Sequence, residues 1–146
     1  MRNINIWVTF GVLICFASIA YAQSGTINVE ILEIKEIKGQ IGIALYNKSG
    51  DFLKPGKAYK GVFLKVVEKR VTYTFSNVPN GDYAIAIFHD INNNGEHDKN
   101  FLGIPKEAYG FSNGATATFG APGFDKATFR LKGTHTAKIE MKYWGK

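Results

Sequence analysis

Cysteine is nearly absent from this 146-residue chain: the only one is Cys15, inside an apolar stretch near the N-terminus. Beyond that stretch no disulfide can form and no thiolate can serve as nucleophile or metal ligand, so stability must come from an apolar core and any bound ion. Histidine is scarce, with three in all, and there is neither a Gly-x-Ser-x-Gly elbow nor a pair of glutamates placed to converge. An enzyme needs a nucleophile with a base, a carboxylate pair in a cleft or an open metal site. The sequence therefore reads as non-catalytic. A basic stripe is missing too. The formal charge is +6, yet Lys35, Lys38, Lys48, Lys54, Lys57, Lys60 and Lys65 are scattered rather than gathered on one periodic face. That argues against a nucleic-acid partner and fits solvated strand faces, or weak attraction to acidic polysaccharide or lipid headgroups. Amphipathic helices are lacking as well; residues 55–60 offer at most one helical turn.

The N-terminus has the features of a cleaved export signal. Arg2 supplies the positive end, Ile6 to Ile19 the apolar run, and Ala20-Tyr21-Ala22 a small-x-small site before Gln23. The run is shorter than the roughly 20 residues that a spanning helix needs, although an uncleaved anchor is the alternative. Val12-Leu13-Ile14 before Cys15 does not suit lipid attachment. Residues 1–22 are expected to leave as a signal peptide, and 23–146 to form one periplasmic or extracellular domain with no stable membrane insertion.

In that domain the dominant period is two, the mark of half-buried strands. Thr26 to Ile31, Gln40 to Tyr46, Val62 to Val67, Val71 to Phe75, Tyr83 to Phe88, Ala127 to Leu131 and Thr136 to Tyr143 each read as a strand, and Pro79-Asn80-Gly81-Asp82 as a turn. About seven short strands without a disulfide predict an all-β fold, a single antiparallel β-sandwich of immunoglobulin-like or transthyretin-like kind. One parity of each run gives the expected core: Ile27, Val29, Ile31, Ile41, Ile43, Leu45, Tyr73, Phe75, Tyr83, Ile85, Ile87, Phe129, Leu131, Ile139 and Met141.

The most informative stretch follows the Tyr83 run. From Asp90 it reads D-x-N-x-N-G-x-x-D, with oxygen-bearing side chains at loop positions one, three, five and nine and glycine at six. A hard cation such as Ca²⁺ takes six to eight oxygens, and alternate residues of a tightly curled loop point inward together. Asp90, Asn92, Asn94 and Asp98 would give side-chain oxygens and Glu96 its backbone carbonyl, with Gly95 allowing the sharp turn. Position twelve is Phe101 rather than the bidentate glutamate of an EF-hand, so that motif is rejected. The spacing instead resembles the D-x-D-x-D-G-x-x-D calcium loops between strands of extracellular repeat and propeller domains. The alternative is an ion-free Asx-rich turn between two strands. His89 and His97 raise zinc, but His89 adjoins Asp90 on a strand end and should face away, and amide ligands suit Ca²⁺ better. Glu107 is either an outer ligand or a hydrogen-bond partner of this loop.

Taken together, Val78-Pro79-Asn80-Gly81-Asp82-Tyr83-Ala84-Ile85-Ala86-Ile87-Phe88-His89-Asp90, the loop itself, Leu102-Gly103-Ile104-Pro105 and Glu107 to Asn113 resemble domain of unknown function 2141, a family of small exported bacterial proteins. The resemblance covers essentially the whole chain after the signal. It implies an immunoglobulin-like or transthyretin-like sandwich and an envelope or extracellular location, and it carries over no catalytic residue. In the Gly-rich segment that follows, Tyr109, Phe111, Phe119 and Phe124 are candidates for binding a glycan or an envelope protein, or else they fold back and seal one end of the sandwich. The function expected is an exported Ca²⁺-binding module with such a ligand. A purely structural envelope domain is the alternative, and a small metal-dependent hydrolase on Asp90 and Asp98 the least favoured.

Overall fold

A computed structural model describes residues 23–144; the expected signal peptide lies outside the described residues. Eight strands are present among them: β1 (Ser24–Leu32), β2 (Gln40–Tyr46), β3 (Lys60–Lys65), β4 (Val71–Pro79), β5 (Gly81–Asp90), β6 (Tyr109–Phe111), β7 (Thr128–Leu131) and β8 (Thr134–Glu140). They form a three-stranded sheet in the order β4-β1-β8 and a five-stranded sheet in which β3-β2-β5 continues on the far edge of β5 to β6 and β7. The two sheets close on one apolar core, an all-β sandwich as the alternation of the sequence predicts.

The inward parity is the expected one. Ile27, Val29 and Ile31 from β1 meet Ile41, Ile43 and Leu45 from β2 and Ile85 and Ile87 from β5, all with essentially no exposed surface. Of the residues expected in the core only Tyr73 stays half exposed, packing on its margin. Tyr83 also turns its hydroxyl to the Pro79 carbonyl at 2.7 Å. This resembles the tyrosine corner of immunoglobulin-like sandwiches, and it fixes the entry into β5.

Three details add to or differ from the sequence reading. β8 runs parallel to β1, with Thr26 opposite Thr134 and Leu32 opposite Glu140, while the other ladders are antiparallel. Alternation specifies which face of a strand is buried, not the direction of its neighbour. β6 is an extra strand of three residues, too short for any period to reveal. Gly110 at its centre lies against the core, where a Cβ would come within 2.7 Å of Ile139 Cγ2. Among the described residues helical structure is limited to 3₁₀ turns at Ser49–Asp51 and Ser112–Gly114 and one α-turn at Phe124–Ala127; residues 55–60 are not helical.

β5 positions everything that follows. At ten residues it is the longest strand. It pairs along one edge with β2 from Tyr46–Ala84 to Gln40–Asp90, and along the other with β7 and then β6. Ile85, Ile87 and His89 face inward, and Ala84, Ala86, Phe88 and Asp90 face outward. Connections 33–39, 66–70 and 91–108 and the segment after β8 all lie at the end where β5 finishes, because β2 begins there, β3 and β8 end there and β4 begins opposite Ile31.

Candidate functional site

Asp90 closes the ladder of β5 opposite Gln40 and has no exposed surface. Its Oδ2 accepts Gln40 Nε2 at 2.7 Å and the Gly95 N–H at 2.8 Å, and its Oδ1 accepts the Asn94 N–H at 3.0 Å. Burial pushes this carboxyl up. The Gln40 side chain and the backbone N–H groups of Gly95, Asn94 and Asn93 outweigh it, so the pKa lies below the ordinary value. The aspartate is therefore an anion at neutral pH, with donors on both of its oxygens.

The chain curls around that carboxylate through two Asx turns. Asn92 Oδ1 accepts the Asn94 N–H at 3.1 Å and Asn94 Oδ1 the Glu96 N–H at 2.8 Å. Asn93 (φ 58°) and Gly95 (φ 79°) adopt the left-handed conformation that the curl requires, one that asparagine and glycine enter most readily. Asp98 completes the coil: Asn92 Nδ2 donates to its Oδ2 at 2.8 Å and Asn94 Nδ2 to its Oδ1 at 3.1 Å. Asp90, Asn92, Asn94 and Asp98 are thus brought together. Glu96 enters the coil through its N–H, while its side chain is exposed.

Glu107 is the brace. It is 6 % exposed, and it accepts the Ile91 N–H on Oε1 at 2.9 Å and the Asp98 N–H on Oε2 at 3.0 Å. One carboxylate therefore ties the two ends of the coil together, which makes Glu107 a hydrogen-bond partner of the loop. The Lys106 N–H to the Asp98 carbonyl (2.9 Å) adds a rung beside it. Sequence spacing could not choose this role, because Glu107 is separated from Ile91 by the whole excursion that β6 turns back.

The histidines lie apart. His89, fully buried on the core side, donates from Nε2 to the Lys38 carbonyl at 2.8 Å, and its Nδ1 has no partner among the described residues. His97 is on the outer side between Phe88 and Tyr109, with ring centroids 5.6 and 6.2 Å away. Among the described residues no three or more His, Cys, Asp or Glu side chains gather as a metal-binding group. A cation in the coil would rest on two carboxylates supplemented by amide and carbonyl oxygens, the donor set of a hard ion. The amide nitrogens of Asn92 and Asn94 now face Asp98. Presenting Oδ1 instead takes a rotation about the terminal torsion of each side chain, itself soft, and draws Oδ1 away from the Asn94 and Glu96 N–H groups of the two Asx turns.

The four aromatic candidates separate. Tyr109 and Phe111 are buried on the outer face of the five-stranded sheet with Ala84 and Ala127, and Phe124 packs against them. Phe52 joins the cluster, 6.3 Å from Phe111 and 5.8 Å from Phe124 between ring centroids. Phe119 stands apart and is wholly exposed. It edges a shallow depression of about 500 Å³ with Asn113, Thr116, Thr118 and Lys126.

The fold and this site define a small β-sandwich with a braced polar coil at the end of its central strand. Residues 29–139 match a bacterial family described as "Uncharacterized protein conserved in bacteria (DUF2141)", and the chain belongs to that family. No curated protein and no solved structure matches it.

Proposed function

We propose that the chain is an exported, non-catalytic module in which Ca²⁺ fills the Asp90–Asp98 coil and stiffens the adjoining surface for a glycan or an envelope protein. The observation that carries this reading is the convergence of Asp90, Asn92, Asn94 and Asp98 in one coil whose ends Glu107 holds together. With two carboxylates and neutral oxygens, affinity belongs in the range of extracellular modules, about 10⁻⁴–10⁻³ M. Calorimetry with Ca²⁺, Mg²⁺ and EDTA tests it. Calcium heat with little response to Mg²⁺, lost in Asp90→Ala, is expected, since Mg²⁺ holds its waters and demands a tighter octahedron. A chain with no calcium heat has an ion-free turn here.

The second reading is a purely structural envelope domain whose ion serves stability alone. Its support is that Tyr109, Phe111 and Phe124 are engaged in packing, leaving Phe119 and its neighbours as the accessible part of the candidate ligand surface. Glycan-array or pull-down binding that disappears with chelator favours a ligand; thermal stabilisation by calcium without any binding favours the structural role.

A further inference from the structure

Isolated exposed hydrophobic side chains are ordinary on protein surfaces, but their concentration at one place is not. Among the described residues eight large hydrophobic side chains are exposed, and five of them (Ile37, Val67, Phe101, Leu102 and Trp144) lie in the connections at the end of the sandwich where β5 finishes. Phe101 and Leu102, 95 % and 68 % exposed, are adjacent at the apex of a short arm directly after the Asp90 coil.

That exposure is built. Lys99 and Pro105 pair across the base of the arm, and the Asn100 N–H reaches the Ile104 carbonyl at 2.8 Å. Asn100 Oδ1 accepts the N–H groups of both Leu102 (2.9 Å) and Ile104 (3.0 Å), and the Gly103 N–H returns to the Asn100 carbonyl at 2.9 Å. With the turn satisfied by its own backbone and Asn100, the two apolar side chains have no part in holding it. Neighbouring connections are tied in as well: the Val66 N–H to Gly39 O at 3.1 Å, and the Lys35 N–H to the Tyr143 hydroxyl at 2.8 Å.

We propose that this end of the molecule docks on an anionic lipid surface, with Phe101 and Leu102 entering the headgroup region. The apex projects rather than forming a pocket or flat patch, whereas protein hot spots sit in packed, desolvated centres. Lys99 and Lys106 are exposed on the two stems of the arm, where they can meet lipid phosphates as the apex inserts. Residues 33–39, 66–70, 90–108 and 141–144 carry seven Lys or Arg and seven Asp or Glu, so the end is formally neutral. A divalent cation in the Asp90 coil makes it positive. Stable attachment to a membrane surface takes two signals; the apolar apex is one and the positive charge of Lys99 and Lys106 the other, which a bound ion would reinforce. The charge switch rests on the calcium reading above, and the apolar apex does not.

The test is co-sedimentation of the protein from Gln23 onward with vesicles of phosphatidylcholine alone and of phosphatidylcholine mixed with phosphatidylserine, with calcium and with EDTA, beside calorimetry of calcium alone. Binding to the mixed vesicles in calcium is expected, weakened about tenfold or more in Phe101→Ser/Leu102→Ser, whose melting temperature and calcium heat stay those of the parent. Apex-dependent vesicle binding without calcium heat upholds docking and removes the ion. Calcium heat without vesicle binding, or equal binding by the double variant, overturns docking while leaving the ion reading intact. Apex-dependent self-association in the absence of lipid likewise overturns it in favour of a protein partner.

Discussion

Ile85 and Asp90 sit five residues apart on one strand, both without exposed surface, and they are held by opposite means. Around Ile85 the partners are apolar side chains from both sheets. Its attraction is non-directional, and what it demands is volume. Around Asp90 the partners are an amide and backbone N–H groups aimed at two oxygens. What that site demands is direction, and a donor or acceptor left unmet costs more than a satisfied one contributes. The interior of the sandwich therefore tolerates exchange among similar shapes, whereas the coil depends on particular atoms at particular places.

The largest effect should come from the interior. Ile85→Ala removes fully buried volume from the contact between the sheets and should cost about 2–5 kcal/mol in urea unfolding. A loss below about 0.5 kcal/mol, ordinary for an exposed site, would mean that the strand presents its other face. Next comes the brace: Glu107→Ala strands the Ile91 and Asp98 N–H groups and should cost about 1–3 kcal/mol. Glu107→Gln, which keeps one acceptor oxygen, should fall between it and the parent. If both variants match the parent, the coil does not need its ends tied.

A smaller effect comes from the ion. With a dissociation constant of about 10⁻⁴ M, about 1 mM calcium stabilises the fold by roughly 1.4 kcal/mol. For a domain of this size that is a rise of about 3–6 °C in melting temperature. Asp90→Ala should abolish the rise and still leave a folded sandwich, because the apolar core lies on the other side of the strand. A melting curve indifferent to both calcium and EDTA would confine the coil to a turn.

The pH dependence follows from the sign of the Asp90 shift. Its folded pKa is lowered, so its contribution is present in full above the ordinary value of 3.8 and is lost as pH falls through the folded value. Asp90→Asn should flatten the acid limb of a stability–pH curve; an unchanged limb assigns acid sensitivity elsewhere. The smallest effect is expected at exposed ion pairs. Arg130 Nε lies 2.9 Å from Asp82 Oδ1 on the surface, and Arg130→Ala should shift stability by less than about 1 kcal/mol. A polar contact of the same length is thus expected to matter at the buried Asp90 and Glu107 carboxylates and hardly at all here, and a large loss in Arg130→Ala would break that contrast.

The sequence by itself determined which residues of the long strands turn inward, since alternation at Ile27, Val29 and Ile31 or at Ile41, Ile43 and Leu45 leaves one face able to leave water. It also determined that Asp90, Asn92, Asn94 and Asp98 could meet, because a loop of nine residues with a left-handed glycine keeps them within local reach. Only the tertiary structure decided that β8 lies parallel to β1, that β6 extends the larger sheet, and that Glu107 braces the coil while Tyr109 and Phe111 are spent on packing. Those outcomes depend on segments far apart along the chain being brought together. Local periodicity records how a strand meets water, and it holds no information about which distant backbone N–H a carboxylate will find.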